Sequence, residues 1–550
     1  MSASQPRQQA GNACDECRKK KQRCDRQRPR CTYCVEARAV CHFNEKRAPR
    51  RLFNRNALKN IDNRLGSIER RLQPAVTADS TSESQDAMSW VDVEEVPEIS
   101  SSTLPQNLDN GYLSPFFHDP RPVQQSSPHC INQLHLSDVT KADLTQLYLD
   151  RVHPMLPLLS PARLSRSRKD TESLDQYGRC LQYAMWTIAT AFSSQFEELR
   201  DNLYGETREM VDKLDLVESD LNDYRVEPSQ IWILLIFYEF MKTNYSRGWL
   251  SAGRLFRHVQ MSELYSVDRG MRPCSAGLET DPIIAEEKRR AFWLAYCLDR
   301  IVSICETTPL TLGEEVIYTR LPCPESEFQS GIISQQCLLS EAMASREPRR
   351  YSNIAECVIT ATICGRALSH KQTSIVEKAY SSPPIDYVAR HNWLEGLLDA
   401  RLKSLPISTP HDAIAPNPMV AFTTILTHAA VLYLWHIGEL LLYKDEDQSL
   451  LLPLAERGLD SARELCRLAQ NIELHGLFRA HAFIPIPVFF GAYRIRSYLI
   501  VEGGSLGDDE KEEMEKLVHI CLEVLQKLRT VNNLASHVLR RYQTRPFRPL

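Results

Sequence analysis

Six of the chain's 17 cysteines lie close together near the amino terminus, and their spacing is regular. The pattern C-x2-C-x6-C occurs twice, displaced by 17 residues, and its members are Cys14, Cys17, Cys24, Cys31, Cys34 and Cys41. Zinc prefers four tetrahedral ligands and binds thiolates well. Two zinc ions need eight ligand bonds, and six thiolates supply eight when two of them bridge both ions. The repeat therefore predicts two zinc ions in a pseudo-twofold site.

Three other uses of these cysteines remain open: a three-disulfide knot, a single four-cysteine zinc site with two spare thiols, and an iron–sulfur site. The first residues contain no apolar signal-peptide segment, so nothing indicates the oxidising compartment that a disulfide knot requires. Iron–sulfur proteins use other cysteine spacings. His42 could in principle be a ligand, but we expect it at the surface. The two-zinc cluster is the favoured interpretation.

The charges around the cysteines indicate a polyanion as the partner. Residues 1–72 contain 19 Lys and Arg against 7 Asp and Glu, whereas the rest of the chain is acidic. The loop of the first half, RKKKQR, has five bases in six positions, while the second half has VEARAV. Lysines can donate to guanine, and arginines mostly neutralise phosphates. Nuclear import is the alternative use of these bases and of KRAPRR at 46–51. The candidate DNA contacts are Arg18, Lys19, Lys20, Lys21 and Arg23.

The segment GNACDECRKKKQRCDRQRPRCTYCVEARAVC, including Pro29, resembles the fungal zinc binuclear cluster DNA-binding domain. The resemblance implies that Cys14 and Cys31 bridge the two zinc ions. It also implies that the residues just after Cys17 form a short helix whose amino end enters the major groove, typically at CGG triplets. The matching positions are Lys20 and Lys21 for base contacts, with Arg18 and Arg23 near the DNA backbone.

A short coiled coil is predicted after the cluster. Leu58, Ile61, Leu65, Ile68 and Leu72 alternate steps of three and four, which is a heptad seam over about two heptads. So short a helix is marginal alone, and packing on its own protein is the alternative. A dimer is favoured because two half-sites multiply the specificity of each cluster.

These observations divide the chain into six segments. Residues 73–135 are rich in Ser, Pro, Gln and acids, a composition typical of disorder, and residues 79–98 hold seven acids and no base. That acidic stretch is either an activation segment or a solvated spacer. The predicted segments are a disordered amino terminus (1–13), the zinc cluster (14–41), a basic linker (42–57), the coiled coil (58–72), a disordered linker (73–135) and a helical domain (136–550).

The region from residue 136 onward is predicted to be helical, so the fold class is all-α. Stripes such as Ala291, Leu294, Leu298, Ile301 and Cys305 recur every three or four residues, as core faces of amphipathic helices do. The longest uninterrupted apolar run has eight residues, 231–238, far below the roughly 18 that span a bilayer. We expect no membrane partner. We interpret Arg289, Arg290, Asp299 and Arg300 as a salt-bridged helix surface.

Three stretches, LYLDRVHPMLPLL, GWLSAGRLFRHVQMSELYSVDR and EEKRRAFWLAYCLDRIVSICETTPLTL, resemble the fungal-specific transcription factor domain over roughly 140–330. The resemblance implies an all-helical regulatory region. The helical body, residues 136–550, contains none of the nucleotide-binding, P-loop, nucleophile-elbow or zinc-protease motifs.

The sequence therefore predicts a zinc-dependent, sequence-specific regulator of RNA polymerase II transcription in the nucleus, and not an enzyme. The expected partners are double-stranded DNA, a second copy of the chain, and the transcription machinery or coregulators, with an unidentified small-molecule inducer as a further candidate. The alternatives are a DNA-bound repressor or architectural recruiter and an enzyme with a DNA-targeting head. Related proteins control catabolic or secondary-metabolite gene clusters, and the sequence does not choose between these.

Overall fold

A computed structural model describes the zinc-cluster region and most of the body. The described residues are 14–20, 22–25, 27, 29–42, 136–167, 174–215, 225–269, 281–345, 350–380, 387–404, 417–442, 451–502 and 506–544. The chain divides into two compact units, residues 1–123 and 124–550. The coiled-coil seam, the segment 1–13, the linker 73–135 and all but the first residue of the basic linker lie outside the described residues. The described residues form α-helices and 3₁₀ or π-helical turns and contain no β-strand, which confirms the all-α prediction.

The described part of the first unit contains two short helices that follow the repeat in the sequence. Helix α1 spans Asp15–Lys19 and helix α2 spans Thr32–Glu36, so their bounds differ by the same 17 residues as the cysteines. The chain after each helix also turns in the same way. The amide of Gln22 donates to the carbonyl of Cys17 at 2.9 Å, and the amide of Ala39 donates to that of Cys34 at 3.0 Å. The duplicated spacing therefore builds a duplicated backbone.

The second unit is built from helices joined by loops. Its first helix, α3, continues into a π-helical turn at Tyr148–Val152, and a 3₁₀ turn at Leu264–Ser266 follows α8. The helices are α3 Asp138–Leu147, α4 Pro161–Ser167, α5 Gln176–Thr190, α6 Glu197–Asp215, α7 Glu227–Lys242, α8 Tyr245–Met261, α9 Pro282–Glu306, α10 Glu325–Ser330, α11 Leu339–Ala344, α12 Asn353–Tyr380, α13 Tyr387–Ser404, α14 Pro418–Leu442, α15 Leu451–His475, α16 Pro485–Glu502, α17 Asp508–Leu528 and α18 Asn533–Thr544.

Packing in this unit is mainly between helices that are close in the sequence. Helix α7 packs on α8, α14 on α15 and α16 on α17, while α9 packs on both α8 and α12 and so joins the earlier helices to the later ones. One apolar core runs from Leu144 to Tyr542. The run Ile231–Tyr238 is buried on every face of α7, as is typical of a helix that is apolar all round. The predicted stripe of α9 lies in the same core.

Helix α14 is the one described helix that is long and apolar enough to cross a membrane. In this structure, 78% of its most apolar window is buried inside the protein. Buried core helices have the same composition as membrane spans, since both exclude water on all sides. We therefore assign α14 to the core. Helix α14 packs closely on α15 at Gly458. A β-carbon added there would clash with the buried ring of Trp435, so this position requires glycine.

The interpretation of the charged residues on α9 as a helix surface is wrong for three of the four. Arg290, Asp299 and Arg300 are at most 1% exposed, and only Arg289 lies near the surface. The Arg290 guanidinium donates to Glu286 at 3.0 Å and to Glu325 at 2.7 Å. Buried charges are retained only with such partners.

Asp299 and Arg300 fasten the loop that follows α9. The Asp299 carboxylate accepts the backbone amides of Thr311 and Leu312 at 3.1 and 3.0 Å, and it also accepts the Arg300 guanidinium at 2.9 Å. Arg300 in turn donates to the carbonyl of Leu312. Burial raises the pKa of Asp299, an effect that the Arg300 charge and these amides oppose without reversing it. The buried charges thus connect loops to α9.

Candidate metal centre and nucleic-acid interface

The six cysteines of the first unit lie together as two groups of four sulfur atoms. One group contains Cys14, Cys17, Cys24 and Cys31, the other contains Cys14, Cys31, Cys34 and Cys41, and within each group the sulfurs lie within 4.8 Å of one another. Both groups include Cys14 and Cys31. These two are the residues that the family resemblance implied as bridges between the zinc ions.

The distances between sulfurs test whether the site fits zinc. With Zn–S bonds of about 2.3 Å, a tetrahedron has S–S edges of about 3.8 Å. Cys14 lies 3.7 Å from Cys31 and 3.6 Å from Cys34, and Cys17 lies 3.6 Å from Cys31. Cys17 and Cys34, which belong to different groups, are 4.0 Å apart. Disulfide bonds need about 2.05 Å, so these contacts match shared metal coordination and not a disulfide knot.

Backbone amides and burial complete the surroundings of the sulfurs. The amide of Cys17 donates to Sγ of Cys14 at 3.5 Å, and the amide of Cys31 donates to Sγ of Cys41 at 3.3 Å. Cys14, Cys17, Cys31 and Cys34 have no solvent exposure. Amide donors stabilise the thiolate form that binds metal. The six cysteines would hold two zinc ions, whose bonds would tie the two halves together in place of a larger apolar core.

The residue that follows each half accepts a hydrogen bond from the first amide of the other half's helix. The amide of Asp15, at the start of α1, donates to the carbonyl of His42 at 3.0 Å, and the His42 ring lies 3.7 Å from the Asp15 carboxylate. At the equivalent position of the repeat, the amide of Thr32 donates to the Asp25 carboxylate at 3.1 Å. Asp25 and His42 are themselves 17 residues apart. His42 is exposed, as expected, and belongs to neither sulfur group.

The described basic side chains of the first half lie at the surface, and the helix that the resemblance implied includes only part of the basic loop. Helix α1 contains Cys17 and ends at Lys19, so the backbone of Arg18 and Lys19 is helical and the rest of the basic loop follows the helix. The side chains of Lys19, Lys20 and Arg23 are exposed. The side chain of Arg18 and the whole of Lys21 lie outside the described residues. The helix thus begins two residues before Cys17 and extends two residues beyond it.

The second half presents a different surface on the same backbone. Val35 is 53% exposed and Val40 is 84% exposed, beside exposed Glu36 and Arg38. A surface with two bare valines and balanced charges offers little to phosphates, whereas the first half exposes a run of cations. The two halves therefore share a backbone conformation but differ in the charge of their surfaces.

Two family models match this chain. The fungal Zn(2)-Cys(6) binuclear cluster domain matches residues 12–51, and the fungal specific transcription factor domain matches residues 145–382. The second match extends beyond the stretch of roughly 140–330 on which the resemblance was based. It ends after helix α12.

Relatives match over nearly the whole chain. The pigment biosynthesis transcriptional activator of Monascus ruber is 32% identical over 98% of this chain and 95% of its own length. The citrinin biosynthesis transcriptional activator of Monascus purpureus is 33% identical, over 96% and 92%. The azaphilone cluster-specific transcription factor of Aspergillus niger is 36% identical, over 86% and 96%. The chain belongs to the fungal zinc binuclear cluster transcription factors.

Membership of the zinc binuclear cluster family confirms several predictions. The protein is a DNA-binding transcription factor whose cofactor is zinc, two ions held by six cysteines. It is not an enzyme, since the family and these relatives are transcription factors.

Sequence reasoning missed two features of this zinc cluster unit. Asp25 accepts a hydrogen bond from the amide of Thr32, the first residue of α2. The repeat could have indicated this contact, since Asp25 lies 17 residues before His42. Glu16 lies 3.2 Å from the Lys20 ammonium, one helical turn away. A Glu–Lys pair with this spacing is a standard helical signal, so the sequence could have indicated this contact.

Proposed function

We propose that this protein is a pathway-specific activator of a fungal secondary-metabolite gene cluster, acting in the nucleus on CGG-type sites. The observation that carries the proposal is the extent of the match to the relatives. The relatives named as activators of pigment and citrinin biosynthesis align over both the zinc cluster and the helical body. The body that would recruit the transcription machinery or coregulators is therefore part of the likeness, which favours activation over purely architectural binding.

Base reading is assigned to the first half of the cluster. We assign base contacts to Lys20 and Lys21, with Arg18, Lys19 and Arg23 at or near phosphates. Support comes from the exposure of Lys19, Lys20 and Arg23 and from the poor match of the valine-bearing second half to a polyanion.

The function is tested in the fungus that encodes the chain. Deleting the gene should abolish transcripts of one biosynthetic cluster, and mapping of the full-length protein on chromatin should place it at promoters of the same cluster. A repressor would instead raise those transcripts on deletion. Binding at promoters without any change in transcription would support the architectural alternative.

We also propose that the protein binds as a dimer through the seam from Leu58 to Leu72. Replacing Ile61 and Ile68 together by Asp puts two charges into an apolar seam, so the full-length variant should lose its preference for probes with two half-sites. Binding to a single half-site should change less than about twofold, because the seam does not contact DNA. Gel-shift titrations measure both. Unchanged binding to the double site would exclude the seam as the dimer contact.

A further inference from the structure

Helix α1 of the zinc cluster carries an acid that contacts a predicted base-reading lysine in the basic loop. The Glu16 carboxylate lies 3.2 Å from the Lys20 ammonium, with the two side chains 28% and 50% exposed. We propose that Glu16 determines specificity: it neutralises and orients Lys20, so that Lys20 contributes to binding on the preferred sequence and little on random DNA. This inference rests on the proposed reading of DNA by the first half.

The repeat shows that the fold does not require this ion pair. The residues equivalent to Glu16 and Lys20 in the second half are Tyr33 and Ala37, which cannot form an ion pair. Helix α2 nevertheless has the same length as α1 and the same closing turn. An exposed pair of this kind also adds little to the stability of a helix, because solvent screens the two charges. A role in DNA recognition therefore explains the pair better than a role in folding.

Charge explains how an acid could improve discrimination. On random DNA a free lysine neutralises one phosphate, which steepens the dependence of log K on log salt by about 0.9. A lysine paired with a carboxylate adds little net charge there, and the carboxylate repels nearby phosphates. On the preferred site the ammonium has three donors. One donor serves Glu16, and two remain for O6 and N7 of a guanine, the commonest specific contact of basic side chains.

The test compares Glu16→Gln with a matched control in the full-length protein. Glu36→Gln makes the same chemical change on an exposed residue of α2, in the half that lacks the basic loop. Each variant is titrated against a duplex with the preferred half-sites and against a scrambled duplex, at two salt concentrations. Native mass spectrometry must give two zinc ions for each variant, so that unfolding cannot imitate the effect.

Glu16→Gln should raise affinity for scrambled DNA about three- to tenfold at low salt and steepen the salt dependence by about one unit per chain. Affinity for the preferred site should not rise with it, so the specificity ratio should fall at least about threefold. Glu36→Gln should change either affinity less than about twofold. Glu16→Asp, which keeps the charge, should return scrambled binding to the level of the natural protein.

Equal changes on both duplexes, or the same changes in Glu16→Gln and Glu36→Gln, would overturn the inference, because only total charge would then matter. Lys20→Ala separates this failure from failure of the proposed function. If Lys20→Ala weakens binding to the preferred site but Glu16→Gln behaves as the control does, Lys20 reads DNA without help from Glu16. If Lys20→Ala changes neither affinity, the assignment of base reading to Lys20 fails as well.

Discussion

Replacing Cys14 by Ser is expected to remove both zinc ions and abolish DNA binding, whereas Cys24→Ser should disturb one zinc site. Cys14 belongs to both four-sulfur groups and is fully buried, but Cys24 belongs to one group and lies nearer the surface. Structural zinc contributes on the order of 10 kcal/mol or more to folding small metal domains. Because the described residues of the zinc cluster bury little besides their cysteines, loss of both ions should leave the cluster unfolded. Native mass spectrometry of the full-length variants counts the zinc ions.

The control for this experiment is Cys337→Ser, which removes a partly exposed thiol in the helical body. It should keep two zinc ions and full affinity for DNA. The shared-sulfur arrangement would be contradicted if Cys14→Ser and Cys24→Ser each kept one tightly bound zinc. Two ions in Cys14→Ser would contradict it as well.

Replacing Arg290 by Met is expected to lower the free energy of unfolding of the helical body by about 3–5 kcal/mol, because it leaves buried carboxylate uncompensated. The guanidinium donates to Glu286 and Glu325, and also to the carbonyls of Pro157 and Cys323 at 3.0 and 3.1 Å. Its loss therefore releases the segments before α4 and around α10 from α9. Urea denaturation followed by circular dichroism measures the effect.

An exposed ion pair provides the matched control. Arg463 of α15 donates to Glu513 of α17 at 2.8 Å, with both side chains more than 40% exposed. Arg463→Met should cost no more than about 1 kcal/mol, because solvent screens the pair. If Arg290→Met costs no more than Arg463→Met, the buried charges do not hold the loops.

The loss in free energy of unfolding caused by Arg290→Met should become smaller at acid pH. Burial raises the pKa of Glu325, but the His153 ring and the Arg290 guanidinium outweigh it and bring that pKa to about 2, from an ordinary 4.5. A lowered carboxyl pKa contributes stability that is present above about pH 4.5 and is lost as pH falls toward 2. The two proteins should therefore approach one another in stability over that range. A constant difference down to pH 2.5 would exclude Glu325 as the partner that matters.

Local patterns were sufficient for the zinc cluster and for the all-α class of the rest of the chain. The duplicated cysteine spacing predicts both metal groups, because coordination depends on ligand count and short loops bring these ligands together. The apolar stripe on α9 predicts its buried face, because a period of 3.6 residues places its members on one side of the helix. Even the contact of Glu16 with Lys20 was present in the sequence as a pair one turn apart.

Only the tertiary structure decided which charges are interior. Arg290 and Asp299 interrupt an apolar helix and look like surface residues in the sequence. Their neighbours on α9 alone do not compensate the cost of burying a charge. Their other partners come from distant segments: Glu325 lies 35 residues from Arg290, and the Thr311 amide lies 12 residues from Asp299. The sequence by itself determined that this protein binds two zinc ions and carries a helical body. The fold determined that buried ion pairs fasten its loops, because a charge leaves water only where the chain brings its partners to it.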